Sequence, residues 1–80
     1  MSDKRRAILR TLADNIDGRT PTGVGIANGK PYGRASGWAC SGHGGLRQLK
    51  IDGLVERNAR GWYRITDAGR AELRRLEGET

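Results

Sequence analysis

Cys40 and His43 are the residues with the most versatile chemistry, and they stand three positions apart. That spacing suits a shared metal ion, but a structural zinc site needs about four ligands, and the sequence has no second cysteine or histidine. A Cys–His nucleophilic pair would need an orienting third group in a shaped pocket. We therefore predict no metal, no cofactor and no enzymatic activity. Cys40 can be interpreted as a redox-sensing thiol or as a structural cysteine, and we favour the latter.

The glycines suggest a second chemistry, which is phosphate binding by a glycine-rich loop. Gly23, Gly25 and Gly29 follow a G-x-G-x-x-x-G spacing, which is one residue too long for the dinucleotide fingerprint. Lys30 follows Gly29, but the next residue is Pro31 rather than the Ser or Thr of a nucleoside-triphosphate loop. A chain of 80 residues is also too short for the parallel sheet that such loops need.

Positive charge is concentrated in the middle of the chain. The net charge is +6, and residues 18–65 alone carry eight basic and two acidic side chains. A basic excess confined to one segment indicates a surface that faces a polyanion. No apolar run approaches the ~18 residues of a membrane span, and a single cysteine fits a reducing compartment. We predict a soluble, cytoplasmic domain without a membrane partner.

The apolar spacing predicts one small domain whose N-terminal part is helical. Helix one occupies residues 1–17, and its periodic part, residues 3–16, places Ile8, Leu9, Leu12, Ala13 and Ile16 on one buried face. Residues 18–45 hold nine glycines, with a short helix two from Thr22 to Gly29. We expect a turn at residues 30–33, while residues 34–40 are either an extended loop or an early start of the next helix. Trp38 is expected to close the core over this loop.

The second half of the sequence predicts a helix, a hairpin and a last helix. Leu46 and Leu49 share one face of a helix from Gly42 to Asp52, with Ser41 as its N-cap and Gly53 as its stop. Residues 54–66 alternate as two strands around a turn at residues 58–61, with Tyr63 and Ile65 inward and Trp62 and Arg64 outward. Thr66 then caps a C-terminal helix over residues 67–77.

Two segments carry a family resemblance. Leu46-x-x-Leu49-x-x-x-Gly53-Leu54-Val55 is similar to a recognition helix that runs into a first wing strand. Tyr63-Arg64-Ile65-Thr66-Asp67-Ala68-Gly69-x-x-x-Leu73 is similar to a second wing strand and the helix after it. The sequence thus resembles the winged helix-turn-helix DNA-binding domains of bacterial, archaeal and phage transcription regulators. It departs from them at residues 30–45, where family members turn in a few residues.

The resemblance implies an α+β, mostly helical winged helix-turn-helix fold with three helices, a two-stranded wing and a C-terminal helix. The recognition helix would occupy residues 41–53. The implied function is sequence-specific binding of double-stranded DNA by a small, nucleoid-associated transcriptional regulator. The alternatives are a winged-helix protein-interaction module and a DNA-architectural or phage accessory protein. The C-terminal helix would be the seam of a homodimer, or an unknown protein would be the partner.

The resemblance also nominates the DNA-binding residues. The N-terminal part of the recognition helix lies nearest the base edges in such domains, which assigns base contacts to His43, Arg47 and Gln48 and a phosphate contact to Lys50. Arg60 at the tip of the wing, joined by Arg57, would contact the minor groove or the backbone. The full predicted set is Arg34, Ser41, His43, Arg47, Gln48, Lys50, Arg57, Arg60 and Arg64.

Overall fold

Helices make up most of the chain in the computed structural model, which describes residues 3–42 and 44–78. Within these residues the elements are α1 (Asp3–Ala13), α2 (Pro21–Ala27), α3 (Tyr32–Cys40), α4 (Leu46–Ile51), β1 (Val55–Arg57), β2 (Tyr63–Ile65) and α5 (Asp67–Gly78). The strands are antiparallel, with Val55 opposite Ile65 and Arg57 opposite Tyr63. The chain is therefore an α+β domain that is mostly helical, as the sequence predicts.

The core is built from the apolar faces that the sequence periodicity indicates. Ile8, Leu9 and Leu12 of α1 are completely buried, and so are Leu46 and Leu49 of α4. Their spacing of three and four residues keeps each set on one side of its helix. The remaining members of the core are Val24, Ala39, Val55, Tyr63, Leu73 and Leu76. The predicted buried face of α4 is thereby confirmed, and α5 contributes Leu73 and Leu76 to the core while its Ala68 is exposed.

The first helix is shorter than predicted. It ends at Ala13, whereas the periodicity extends it to residue 16. Asn15 ends it by donating its side-chain amide to the Thr11 carbonyl oxygen at 2.6 Å. Ile16, which was expected on the buried face, is 71% exposed as a result. Such local hydrogen bonds from Asn compete with helix continuation.

Residues 30–40 differ most from the prediction. Tyr32 and Gly33 belong to α3 rather than to a turn, and residues 34–40 continue this separate helix. The connection from α2 is only residues 28–31, where Gly29 adopts φ +81°. Ala35 and Ala39 are the buried face of α3. Their spacing of four residues places both alanines on one side of the helix. Trp38 is half-buried and packs against the core, but it does so from a helix and not over a loop as expected.

The fourth helix begins later than predicted. It starts at Leu46 with Gly45 as its N-cap, not at Gly42 with Ser41 as N-cap. Ser41 instead follows the end of α3, where its hydroxyl donates to the Gly37 carbonyl oxygen at 2.7 Å. The positive φ of Gly42, +80°, takes the chain out of helical geometry at that point. The predicted stop is confirmed, because Gly53 has φ +78°.

The hairpin and the last helix are fixed by side-chain caps. The Asn58 carboxamide oxygen accepts from the backbone N–H groups of Arg60, at 2.9 Å, and Trp62, at 3.0 Å. Thr66 caps α5 as predicted, since its hydroxyl accepts from the Gly69 N–H at 3.0 Å. The sheet also gains an isolated antiparallel bridge, in which Arg19 and Tyr63 exchange backbone hydrogen bonds of 2.9 and 2.7 Å.

Candidate nucleic-acid interface

A basic cleft lies between α4 and the hairpin. Its volume is about 670 Å³, and we call it the α4–hairpin cleft; it is lined by Cys40, Arg47, Lys50, Ile51, Arg57 and Tyr63. Three of these six side chains are cationic and none is acidic. Among residues 3–42 and 44–78, none of the three cations forms an ion pair with a carboxylate. The cleft therefore offers positive charge to an anion from outside.

The secondary structure explains how these cations converge. Arg47 and Lys50 are three residues apart on α4 and share the side of the helix next to the buried Leu46 and Leu49. Arg57 comes from β1, where its position opposite Tyr63 directs both side chains to the same face of the hairpin. The structure thus brings together three residues of the predicted set.

Ser41 and Gln48 border the same region, but both are already hydrogen-bonded. A smaller cleft of about 340 Å³ adjoins the first and is lined by Cys40, Ser41, Gly42, Arg47, Gln48 and Ile51. The Gln48 amide donates to the Asp52 carboxylate at 3.0 Å, and the Ser41 hydroxyl is bound to Gly37. A base contact by Gln48 would require that first hydrogen bond to open. The predicted residue His43 lies outside the described residues.

The outer surface of α3 is almost bare. A Cβ added to Gly33 or Gly37 would have no heavy atom of the described chain within 4 Å. These two glycines are four residues apart and face away from the buried Ala35 and Ala39. Arg34 is exposed beside them. A flat ligand can therefore approach the α3 backbone closely, with a single long cationic side chain at its edge.

The two other predicted residues of the hairpin, Arg60 and Arg64, lie at different places on it. Arg60 is exposed at the tip, where the sequence predicts it. Arg64 lies opposite Glu56, one position from the pair formed by Arg57 and Tyr63. Since successive strand residues point to opposite faces, Arg64 faces away from the cleft. Arg64 packs instead near Gly18, whose added Cβ would lie 2.8 Å from the Arg64 Cγ atom.

A cluster that the sequence prediction missed lies around Trp38. The ammonium of Lys4 is 4.9 Å from the Trp38 ring centroid, and that of Lys30 is 5.0 Å away. Arg34 is four residues before Trp38 on the same side of α3. We call these four residues the Trp38 cluster. The spacing of Lys30, Arg34 and Trp38 is visible in the sequence once residues 32–40 are known to be helical, but the approach of Lys4 is a tertiary contact.

The pKa of Lys4 in this cluster reflects burial first and neighbouring positive charge second. Burial, and secondarily the nearby charge of Lys30, lower the pKa of the Lys4 ammonium below its usual value, while Cys40 acts in the opposite direction. Lys4 also donates to the Ser41 carbonyl oxygen at 2.7 Å. That hydrogen bond holds the Lys4 side chain, which comes from α1, at the C-terminal end of α3.

Among the described residues, no group of three His, Cys, Asp or Glu side chains is arranged to hold a metal ion. None of the helices in the part of the chain that the structure covers is long and apolar enough to span a bilayer.

Comparison of the chain with protein-family models, with curated proteins and with solved structures returned no match. The clefts, the outer surface of α3 and the hairpin are therefore the features that support a functional proposal.

Proposed function

We propose that this chain is a winged helix-turn-helix domain that binds double-stranded DNA. The four-residue connection between α2 and α3 is the length found in helix-turn-helix motifs, which also often contain a glycine such as Gly29. The hairpin that follows α4 would be the wing. The isolated backbone bridge between Arg19 and Tyr63 supports this assignment, because it ties the segment before α2 to the second strand of the hairpin.

In this proposal α3, rather than residues 41–53, is the helix that enters the major groove. It is the second helix of the closely packed pair, and Gly33 and Gly37 leave its outer surface free to approach base edges. Arg34 is then the best-placed side chain for a base contact, since Arg can pair bidentately with guanine. Arg47, Lys50 and Arg57 contact phosphates along the groove edge, and Arg60 reaches the backbone or the minor groove.

The observation that carries the proposal is the α4–hairpin cleft. It holds three cations and no carboxylate, beside a helix with a bare outer surface. Solubility alone does not require three cations from two different elements to line one concave surface without a carboxylate partner. Phosphates of a nucleic-acid backbone are the anions that such a surface suits best.

The biological role that fits this proposal is a small, sequence-specific transcriptional regulator on the nucleoid. A homodimer through α5 would have to use the exposed Ala68 and Ala71, because Leu73 and Leu76 are buried in the chain's own core. Selection of bound sites from a random duplex pool would reveal both the preferred sequence and, through a palindrome, a dimer.

The direct test is a titration of a labelled random-sequence duplex at two salt concentrations. With four phosphate contacts, affinity should fall by about 10² between about 50 mM and about 200 mM salt. Absence of binding at the lower salt concentration would rule out the proposal. A single-stranded oligonucleotide of the same length serves as the control for non-duplex binding.

A protein-interaction module is the second candidate, and one observation favours it. Tyr32 is 79% exposed and Ile51 is 78% exposed, and Ile51 lies within the cleft itself. Exposed apolar side chains of this size are typical anchors of protein contacts. Replacing Ile51 with Ser discriminates between the two, because it would abolish a protein contact while leaving the salt-dependent part of duplex binding unchanged.

A further inference from the structure

The Trp38 ring projects from a different side of α3 than Cys40, which lines the α4–hairpin cleft, and two lysines lie against this ring. Cys40 lines the cleft, and Trp38 precedes it by two residues, which is a rotation of about 200° around a helix. Lys4 of α1 and Lys30 of the α2–α3 connection both reach the Trp38 ring from outside α3. Two separate groups of cations therefore flank the bare surface of Gly33 and Gly37.

No carboxylate of the described residues neutralises the two lysines of the Trp38 cluster. Neither Lys4 nor Lys30 forms an ion pair with a carboxylate in the part of the chain that the structure describes. The indole ring attracts each ammonium only weakly, and the two ammoniums repel each other. An anion between or beside them would relieve that repulsion. The ring meanwhile restrains the side chains, so less side-chain freedom is lost when an anion binds.

We propose that Lys4 and Lys30, held against the Trp38 ring, form a second phosphate-binding surface for the DNA strand across α3 from the α4–hairpin cleft. This inference rests on the proposed function. The two basic surfaces then contact the two strands that border one major groove. That groove is about 12 Å wide, which matches a helix with a basic surface on either side.

The geometry assigns different roles to the two sides. The cleft is a concave surface between α4 and the hairpin, where a strand is held by Arg47, Lys50 and Arg57. The Trp38 cluster includes Lys30 from the connection immediately before α3. Binding there would fix the rotation of α3 in the groove. Losing it should weaken binding to every duplex equally, because phosphate contacts carry no base information.

Duplex titrations with single-tryptophan protein test the inference. Trp62→Phe leaves Trp38 as the only tryptophan of the full chain, so its emission reports on the cluster directly. In that background we compare Lys4→Gln, Lys30→Gln and Lys30→Arg by salt-dependent titration with random duplex. Arg74→Gln, at an exposed position on α5, is the matched loss of one positive charge elsewhere.

The expected result is a change of Trp38 emission on duplex binding. Lys4→Gln and Lys30→Gln should each make the slope of log affinity against log salt concentration less steep by about 0.9. Lys30→Arg and Arg74→Gln should retain the parent slope. Circular dichroism of each variant verifies that it is folded before the slopes are compared.

The outcomes that overturn the inference are distinct from those that overturn the proposed function. Strong duplex binding with unchanged slopes in both Lys→Gln variants removes the second surface and leaves the DNA-binding proposal standing. If the parent protein binds no duplex, both the second surface and the DNA-binding proposal are ruled out. A last control titrates the protein with inorganic phosphate alone. If phosphate changes the Trp38 emission as much as duplex does, the cluster binds free phosphate and does not contact a DNA strand.

Discussion

Gly25 of α2 lies so close to Ala35 of α3 that a Cβ on Gly25 would come within 2.5 Å of the Ala35 Cα atom. Both residues are buried. The two helices can therefore cross at this distance only because residue 25 has no side chain. This crossing fixes α3 relative to the rest of the domain, and with it the bare surface that we propose enters the major groove.

Replacing Gly25 with Ala should destabilise the protein by about 1–3 kcal/mol, since the added methyl group must push α2 and α3 apart. The free energy of unfolding in urea measures this effect. Gly37→Ala is the matched control. It adds the same methyl group to a helical site with open space, and it should stabilise the protein by about 1 kcal/mol. Equal stability of the two variants would contradict the close crossing.

Glu72 of α5 joins α1 through Arg5 and also binds Arg75 on its own helix. It accepts hydrogen bonds from Arg75 at 2.8 and 2.9 Å and from Arg5 at 3.1 Å, and Arg5 also contacts Asp52 at 3.3 Å. The hydrogen bonding from Arg75, reinforced by Arg5 and opposed by burial, lowers the pKa of Glu72 to about 2 from its ordinary value of 4.5. Because the folded-state pKa is the lower one, the carboxylate stabilises the fold above pH 4.5, and that contribution is lost as the pH falls toward 2.

Glu72→Gln should therefore be less stable than the parent by about 1–2 kcal/mol at neutral pH. The difference should shrink as the pH falls below 4.5 and disappear near pH 2. Denaturant unfolding at a series of pH values measures it. The control is Glu56→Gln, at an exposed position on β1, which should lie within about 0.5 kcal/mol of the parent at neutral pH. If the difference in unfolding free energy between Glu72→Gln and the parent did not change with pH, the charge of Glu72 would not be what stabilises the fold.

Much of the second half of the fold was predictable because its signals are local. Leu46 and Leu49 identify the buried face of α4, Gly53 provides the positive φ that ends it, and Thr66 caps the next helix. Each of these features depends on residues within a few positions of one another. The hairpin followed from alternation around Asn58 and Gly61 for the same reason.

The secondary structure of the first half was harder to predict, because some of its glycines lie within a helix and others interrupt one. Gly33 and Gly37 lie within α3 despite their low helix propensity, while Gly42 breaks the helical path just after it. Sequence alone does not separate these cases. The signal that identifies α3 is the pair Ala35 and Ala39, whose small side chains suit a helix packed as closely as this one.

The candidate site was predictable in composition but not in arrangement. Arg47, Lys50 and Arg57 were nominated and do meet in one cleft, whereas Arg64 was nominated and faces away. The convergence of Lys4 and Lys30 on Trp38 joins residues that are far apart in the chain. No local pattern encodes such a contact, because it depends on where the fold places the start of α1 relative to α3.

Arg34 should determine sequence preference if α3 enters the major groove. Arg34→Ala should relax the preference at one base pair of a selected site, at a cost of about 1–3 kcal/mol in discrimination. Site selection from a random duplex pool, repeated with the variant, measures this directly. Arg60→Ala at the hairpin tip is the comparison, and it should lower affinity uniformly. An unchanged preference in Arg34→Ala would mean that α3 does not read bases.

The central claim is that the α4–hairpin cleft holds the phosphate backbone of duplex DNA. The most direct measurement is the slope of log affinity against log salt concentration for the parent and for the combined variant Arg47→Gln, Lys50→Gln, Arg57→Gln. We predict a steep slope for the parent and a slope that is less steep by about 2.7 for the variant, because three phosphate contacts are lost. Identical slopes for the two proteins would contradict the claim.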